Sequence, residues 1–264
     1  VYSESSYSAL NGKAKGKFHK DQGYAAMVHD MDLSIGDLLK AYDELGLADN
    51  TYIIFTSDNG GMPVLPMQMN LGRPYKAGLN LPLLRGKWDL TEGGIRVPFA
   101  MMGPGVKPGS QSDTPIVTYD LLPTLADLAG STKNLPDALD GGSFKPLLTD
   151  PEQKVKRAFD GLIFHFPHYN RVGMNEPHSA LRDGDYKFIQ FPASQRSLLF
   201  NVKDDIGETH DLSLERPALA KQLEEKLNAY LSSVNAEQAS ESGSWDRVGK
   251  GGTVRSKFFK RYAK

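Results

Sequence analysis

The chain contains no cysteine among its 264 residues. Disulfide bonds, thiolate nucleophiles and cysteine-ligated metals are therefore excluded within it, although this absence leaves the cellular compartment open. An excess of either charge is also lacking, because 31 Lys and Arg balance 32 Asp and Glu, whereas nucleic-acid binders are usually strongly basic. No apolar run approaches the roughly 20 residues that span a bilayer. What remains is a globular chain of one large or two modest domains.

The first part of the chain has an α/β pattern. Apolar residues recur every three or four positions from about Asp21 to Leu47 and predict a helix, with Gly46 as its end; they are Met27, Met31, Ile35, Leu38, Tyr42 and Leu45. A short β-branched run over 51–56, TYIIFT, predicts a buried strand, and 96–102 predicts a second one. A further helix is expected over 119–129. Helix, turn and buried strand in this order predict a mixed, mainly parallel sheet flanked by helices, over residues 1–150.

The pattern changes after residue 150. Short strands are predicted over 161–166, 179–182, 186–191 and 198–202, separated by turns. An amphipathic helix is predicted over 215–234. Residues 151–264 are therefore expected to form a C-terminal subdomain with a small antiparallel sheet, one packed helix and a basic tail. The tail is either a solvated segment or a contact for a polyanion.

Asp58 and Asn59 directly follow Ser57 at the end of the predicted TYIIFT strand, and two glycines come next. Ligands of open α/β sheets bind at the carboxyl ends of strands. A carboxylate and an amide oxygen are hard donors that suit Ca²⁺ or Mg²⁺. The alternative is an ordinary Asx-turn that closes the strand.

Arg85 and Lys87 flank Gly86 and precede the segment TEGGIRVPF. Two cations so close to a glycine could bind a tetrahedral oxyanion. The alternative is a surface turn with solvated cations. Glu92 could neutralise Arg85 or Arg96, so it is interpreted as part of the scaffold rather than as a catalyst.

His165 and His168 flank Phe166-Pro167 at the end of a predicted strand, and His178 precedes another strand. Histidines in this position could bind a ligand or transfer protons. The alternative is that they are structural histidines with satisfied ring nitrogens.

Several segments, taken in order, resemble the sulfatase family, the formylglycine-dependent branch of the alkaline phosphatase superfamily. They are YAAMVHDMDLSIGDLL, DNTYIIFTSDNGG, LRGKWDLTEGGIRVPF, TYDLLPTLADLAG, LDGGSFKPLL, FHFPHY, SALRDGDYKFI and LFNVKDDIGETHDL. Each segment alone is weak evidence for this family, but their order and spacing over about residues 21–235 are specific to it. The resemblance is closer to the carbohydrate-directed, arylsulfatase-like members than to the phosphatases.

The resemblance implies roles for particular residues. Asp58 and Asn59 match a pair of Ca²⁺ ligands, with Mg²⁺ as the less favoured ion. Lys87 matches the lysine that contacts the sulfate ester and stabilises charge on the leaving side. His165 and His168 fall where members often place substrate-facing residues.

One part of the family pattern has no counterpart here. Members carry an early Cys or Ser in a C/S-x-P-x-R motif, which is oxidised to the formylglycine nucleophile, and the Ser-rich start SESSYS lacks that spacing. The chain is therefore expected to be the C-terminal half of a periplasmic or secreted sulfatase acting on a sulfated small molecule or polysaccharide. Its partner would be the missing N-terminal half of the same protein, and alone it would be inactive.

Two other functions are left open. A phosphatase or phosphodiesterase of the same superfamily would have Zn²⁺ and histidine-rich ligands after the strand, where this chain has Asp-Asn. A non-catalytic carbohydrate-binding fragment would need no nucleophile.

Overall fold

The computed structural model describes residues 22–62, 80–169 and 176–239. Its helices and strands, in chain order, are α1 (Gln22–Glu44), β1 (Ile53–Thr56), α2 (Glu92–Ile95), β2 (Phe99–Met102), α3 (Leu121–Leu128), β3 (Leu162–Phe166), β4 (His178–Asp183), β5 (Tyr186–Phe191), β6 (Arg196–Asn201) and α4 (Pro217–Ser233). Each predicted helix and strand is present, with its ends within a few residues of the predicted ones. The Ser-rich start, most of the 62–82 loop and the basic tail lie outside the described residues.

Helix α1 ends as its sequence predicts. Gly46 adopts a left-handed φ of +64°, and the amide of Leu47 donates to the Tyr42 carbonyl at 3.2 Å. Glycine takes up this conformation without the steric penalty that a Cβ would add, so it commonly terminates helices.

The apolar stripe that predicts α1 is only partly covered. Ala26 and Tyr42 are buried, but Met31, Leu38 and Leu45 are 47%, 59% and 71% exposed. The spacing therefore predicts the helix correctly, whereas the face that it marks remains open to solvent in the part of the chain described.

Strands β1 and β2 pair antiparallel, with Ile53 opposite Met102 and Thr56 opposite Phe99. The mixed α/β class is confirmed, but the mainly parallel sheet is not found among the described strands. A parallel pair needs a crossover of a dozen or more residues, usually a helix. Between β1 and β2 the described residues form only the four-residue helix α2.

The C-terminal sheet has the strand order β3-β4-β5-β6, and β5 pairs antiparallel with both neighbours. Side chains alternate between its two faces. One face contributes a core of Ala180, Ile189, Phe191, Leu198, Phe200 and Val202, and Leu84 from the preceding loop joins it. Helix α4 contacts β4 and β5, and buries Leu223, Leu227 and Leu231. The predicted antiparallel sheet with one packed helix is confirmed.

The chain divides into two compact units. The described residues of the first lie within Val1–Ser34, Asn59–Val97 and Ile163–Lys264, and those of the second within Ile35–Asp58 and Pro98–Leu162. The predicted division near residue 150 falls inside the last stretch of the second unit and stays a prediction. None of the helices in the described parts is long and apolar enough to cross a membrane.

The second unit is organised around a buried carboxylate. Both oxygens of Asp120 bind Arg157, at 2.8 Å to Nε and 2.5 Å to Nη2. The same carboxylate accepts backbone N–H bonds from Val117 and Gly142. With its charge and lone pairs satisfied in this way, a buried Asp is tolerated.

Candidate active site

The segment that starts at Asn59 and the loop that carries Lys87 are joined by backbone hydrogen bonds. The Lys87 amide donates to the Gly61 carbonyl at 3.2 Å, and the Gly60 amide donates to the Gly94 carbonyl at 2.9 Å. Inside the loop, the Gly93 amide donates to the Leu84 carbonyl at 2.9 Å. The backbone of Lys87 therefore lies beside residues 59–61, although 28 residues separate Lys87 from Asn59 in sequence.

Glycines make this close approach possible. A Cβ on Gly60 would lie 1.7 Å from the Gly93 carbonyl oxygen, and a Cβ on Gly93 would lie 2.3 Å from the Leu84 carbonyl oxygen. Both distances are far below van der Waals contact, so backbone meets backbone at these points with no space for a side chain. The glycines singled out in the sequence are thus required by packing.

The backbone around Lys87 adopts an unusual conformation. Arg85 and Trp88 have left-handed φ values of 62° and 79°, which are rare for residues with a side chain. Asn80 holds this turn, because its amide nitrogen donates to the carbonyls of Arg85 at 2.8 Å and Gly61 at 3.1 Å. Such conformations persist where the surroundings enforce them, and they concentrate at functional sites.

The two cations of this turn have different surroundings. Arg85 forms an ion pair with the buried Asp89, so its guanidinium is bound to the scaffold. Lys87 is half-buried, and its ammonium lies 5.7 Å from the centre of the Trp88 ring. An aromatic face attracts a cation at this distance, which restricts where the ammonium can lie.

Asp58 and Asn59 follow β1 after one intervening residue, Ser57, as predicted. Asp58 is exposed and Asn59 is half-buried, and the Asn59 amide nitrogen donates to the Gly60 carbonyl at 3.0 Å. Their oxygens are of the type that Ca²⁺ binds, but Ca²⁺ takes six to eight oxygen ligands. Within the described ranges no group of three or more His, Cys, Asp or Glu could hold a metal. Asp58 and Asn59 therefore have the kind of oxygen atoms that Ca²⁺ binds, but they would be only two of the ligands that the ion requires.

The predicted substrate-facing histidines differ in their contacts. Both ring nitrogens of His165 are within hydrogen-bonding distance of protein atoms, at 2.8 Å from Ser179 Oγ and 2.7 Å from the Glu237 carbonyl. These contacts favour the structural alternative for His165. His168 is exposed, and its ring meets that of Phe166 edge to face at 5.4 Å.

His178 has a clear structural role. It is buried, its Nε2 accepts the Leu90 amide N–H at 3.1 Å, and its Nδ1 lies 2.9 Å from the Glu176 carbonyl. Burial lowers the pKa of His178 below its ordinary 6.5, so it is a neutral imidazole that holds the Lys87 loop to β4.

A buried ionic cluster lies under the same loop. The Lys187 ammonium is 3.0 Å from Glu92 Oε1 and 2.9 Å from Glu208 Oε1, and all three side chains are almost inaccessible to solvent. Burial tends to raise the pKa of Glu92, but the charge and hydrogen bond of Lys187, together with the charges of Arg182 and Arg96, lower the pKa below 4.5. Burial raises the pKa of Glu208, with Lys187 only partly opposing it. Sequence reasoning placed Glu92 in the scaffold beside Arg96, which lies 3.6 Å away, but missed Lys187 and Glu208.

Two family models match the chain and overlap to cover nearly all of it. The model described as "Sulfatase" matches residues 2–131, and the model described as "N-sulphoglucosamine sulphohydrolase, C-terminal" matches residues 86–237. The chain belongs to the sulfatase family. Both models include the stretch 86–131, so each contains the Lys87 loop.

Individual sulfatases support the assignment. A "Sulfatase" of Formosa agariphila is 35% identical over 240 residues, which make up 83% of this chain and 41% of that protein. The solved complex of Ps i-CgsB with k-i-k-neocarrahexaose matches with a TM-score of 0.71 and 26% identity, over 99% of this chain and 53% of that one. BT4656 in complex with its substrate D-glucosamine-2-N,6-O-disulfate matches with a TM-score of 0.64 and 25% identity, over 85% of this chain and 44% of that one. The chain thus spans about half or less of each of these three proteins.

Proposed function

We propose that this chain is part of a sulfuric-ester hydrolase and that Lys87 is its sulfate-contacting cation. The observation that carries the proposal is the environment of Lys87 in a chain of the sulfatase family. Lys87 is a half-buried residue on an enforced turn, and its backbone amide is hydrogen-bonded to the Gly61 carbonyl, two residues after Asn59. Hydrolysis of a sulfate monoester builds negative charge on the leaving oxygen. A preorganised donor aimed at that charge stabilises the transition state more than the substrate.

Asp58 and Asn59 are proposed as two oxygen ligands of a Ca²⁺ ion, with Mg²⁺ as the less favoured choice. The Asn59 amide nitrogen donates to the Gly60 carbonyl, and the amide oxygen is the atom of that side chain with the chemistry to bind a cation. When bound, such an ion polarises sulfate oxygens. The remaining ligands would come from residues outside this sequence.

The proposed substrate class is a sulfated carbohydrate. BT4656 was solved with a sulfated glucosamine as its substrate, and Ps i-CgsB with a neocarrahexaose. His165 and His168 are proposed as candidate substrate contacts. His168 is exposed, whereas the ring nitrogens of His165 already have protein partners, so the proposal is stronger for His168. Export to the periplasm or the medium remains an expectation from the family.

The nucleophile is proposed to come from residues that this sequence does not contain. The chain has no Cys, and its described residues supply cations and oxygen ligands rather than an activated nucleophile. Nucleophilic attack at sulfur requires such a group. Family membership favours this arrangement over the phosphatase and the non-catalytic carbohydrate-binding alternatives.

Sulfate release tests the proposal. The 264-residue chain and the complete gene product that contains it are each incubated with an aryl sulfate and with sulfated oligosaccharides, and free sulfate is measured by ion chromatography. We expect release by the complete product and none by the chain alone. Release by the chain alone, or phosphate-ester hydrolysis without sulfate release by the complete product, would contradict the proposal.

A further inference from the structure

The loop that carries Lys87 is attached to the C-terminal sheet by apolar contacts. Leu84 lies in the core cluster on one face of that sheet, together with Ile189 and Phe200, and Leu90 packs against the same cluster. These two residues lie on either side of Lys87 in sequence. The sheet therefore holds both arms of the loop.

Polar contacts attach the same loop at defined atoms. The Glu92 amide donates to Glu208 Oε2 at 2.8 Å, and the Glu92 carboxylate accepts a hydrogen bond from Lys187 at 3.0 Å. Lys187 lies on β5 and points to the same face as Ile189, because residues two apart in a strand share a face. The Lys187 ammonium thus lies between the core on this face of the sheet and the loop that carries Lys87.

Stability alone gives a poor account of this cluster. Desolvating charges costs much of the energy that their attraction returns, so well-packed apolar side chains often replace a buried ionic cluster without loss of stability. An apolar core lies directly beside Lys187 and could have been extended to its position. Hydrogen bonds are directional, unlike apolar contacts, so they fix the positions of the groups that they join.

We propose that Lys187, together with Glu92 and Glu208, is a positioning network that fixes the Lys87 loop for sulfate binding. The inference rests on the proposed function of Lys87. Glu92 opens α2, and the next residue, Gly93, donates to the Leu84 carbonyl. The Gly94 carbonyl in turn accepts the Gly60 amide. A displacement of Glu92 is therefore transmitted to both segments that frame Lys87.

Hydrogen exchange of the 264-residue chain tests the network without any enzymatic activity. Lys187→Met removes the ammonium and keeps most of the side-chain volume. Lys226→Met is the matched control, because it removes an ion pair with Asp183 (2.7 Å) in the same unit but away from the loop. We expect the Lys87 and Gly60 amides to exchange about tenfold faster or more in Lys187→Met, with the amides of β5 and β6 unchanged. Equal exchange at the loop in both variants would overturn the proposal.

Sulfate-release kinetics of the complete gene product test the consequence for the reaction. We expect Lys187→Met to lower kcat by about 10- to 100-fold, because a small misplacement of a catalytic group has effects of that size. Once Lys87→Ala has removed the positioned group, adding Lys187→Met should change kcat by less than about twofold. Lys226→Met should stay near the wild-type rate. Multiplicative losses in the double variant would refute the positioning role.

The two measurements separate the two proposals. If the complete wild-type product releases no sulfate, the proposed function fails while the exchange experiment still decides the network. If Lys187→Met does not fold, as judged by circular dichroism, Glu208→Gln replaces it, because it removes one carboxylate charge with little change in shape. The network then predicts the same selective loss of protection at the Lys87 amide, and unchanged protection there would overturn it.

Discussion

Gly60→Ala should destabilise the chain at the contact between Gly60 and the backbone of Gly93 and Gly94. The new Cβ would lie 1.7 Å from the Gly93 carbonyl oxygen, 2.7 Å from the Gly93 carbonyl carbon and 3.0 Å from Gly94 Cα. All three are backbone atoms, so no side chain can rotate away. The two segments must separate by well over an ångström, which breaks the 2.9 Å bond between the Gly60 amide and the Gly94 carbonyl.

Overpacking costs about 1–3 kcal/mol and a lost hydrogen bond about 1 kcal/mol, so Gly60→Ala should lower the free energy of unfolding by about 2–4 kcal/mol. Urea denaturation followed by circular dichroism measures it. Gly36→Ala is the control, because a Cβ at that exposed position of α1 meets nothing within 4 Å; alanine there should stabilise by about 0.5–1 kcal/mol. A Gly60→Ala variant as stable as the wild type would refute the close contact.

Three further predictions concern stability. Leu227→Ala should lower the free energy of unfolding by about 2–5 kcal/mol, because Leu227 is fully buried. Leu38→Ala, on the exposed stripe of α1, should change it by about 0.5 kcal/mol or less. Similar urea midpoints for the two variants would contradict this prediction. Arg157→Met should lower the free energy of unfolding by about 3–5 kcal/mol, because it leaves the buried Asp120 carboxylate without its cation. An unchanged urea midpoint would contradict this prediction. Burial lowers the pKa of His178 below 6.5, so its contribution to stability is complete above pH 6.5 and is lost as pH falls through the lowered pKa. Unfolding measured from pH 7.5 to 5.5 should show a loss of up to about 1.4 kcal/mol per pH unit from this residue in the wild type, absent in His178→Asn; equal slopes would contradict it.

Local sequence patterns predicted local structure well. The helical spacing through Met27 and Leu38 predicted α1, and the short run over 186–191, separated from its neighbours by turns, predicted β5 with the bounds observed. Both signals arise from residues near in sequence, where periodicity and turn residues act directly.

Pairings between distant residues could not be predicted in the same way. The antiparallel pairing of β1 with β2 depends on how the chain returns between them, and a short apolar strand has the same composition in either orientation. In sequence, Lys187 is an ordinary lysine in a short predicted strand. Only the tertiary fold shows that it meets Glu92, 95 residues away, and Glu208.

The rate of sulfate release by Lys87 variants of the complete gene product tests the central claim most directly. Removing one preorganised donor typically lowers kcat by about 10²–10³-fold, and we expect Lys87→Ala to lose that much. Arg85→Ala should lose less, because its guanidinium is paired with Asp89 in the scaffold. A Lys87→Ala variant that keeps wild-type kcat, or one that loses no more than Arg85→Ala, would contradict the assignment of Lys87 as the sulfate-contacting cation.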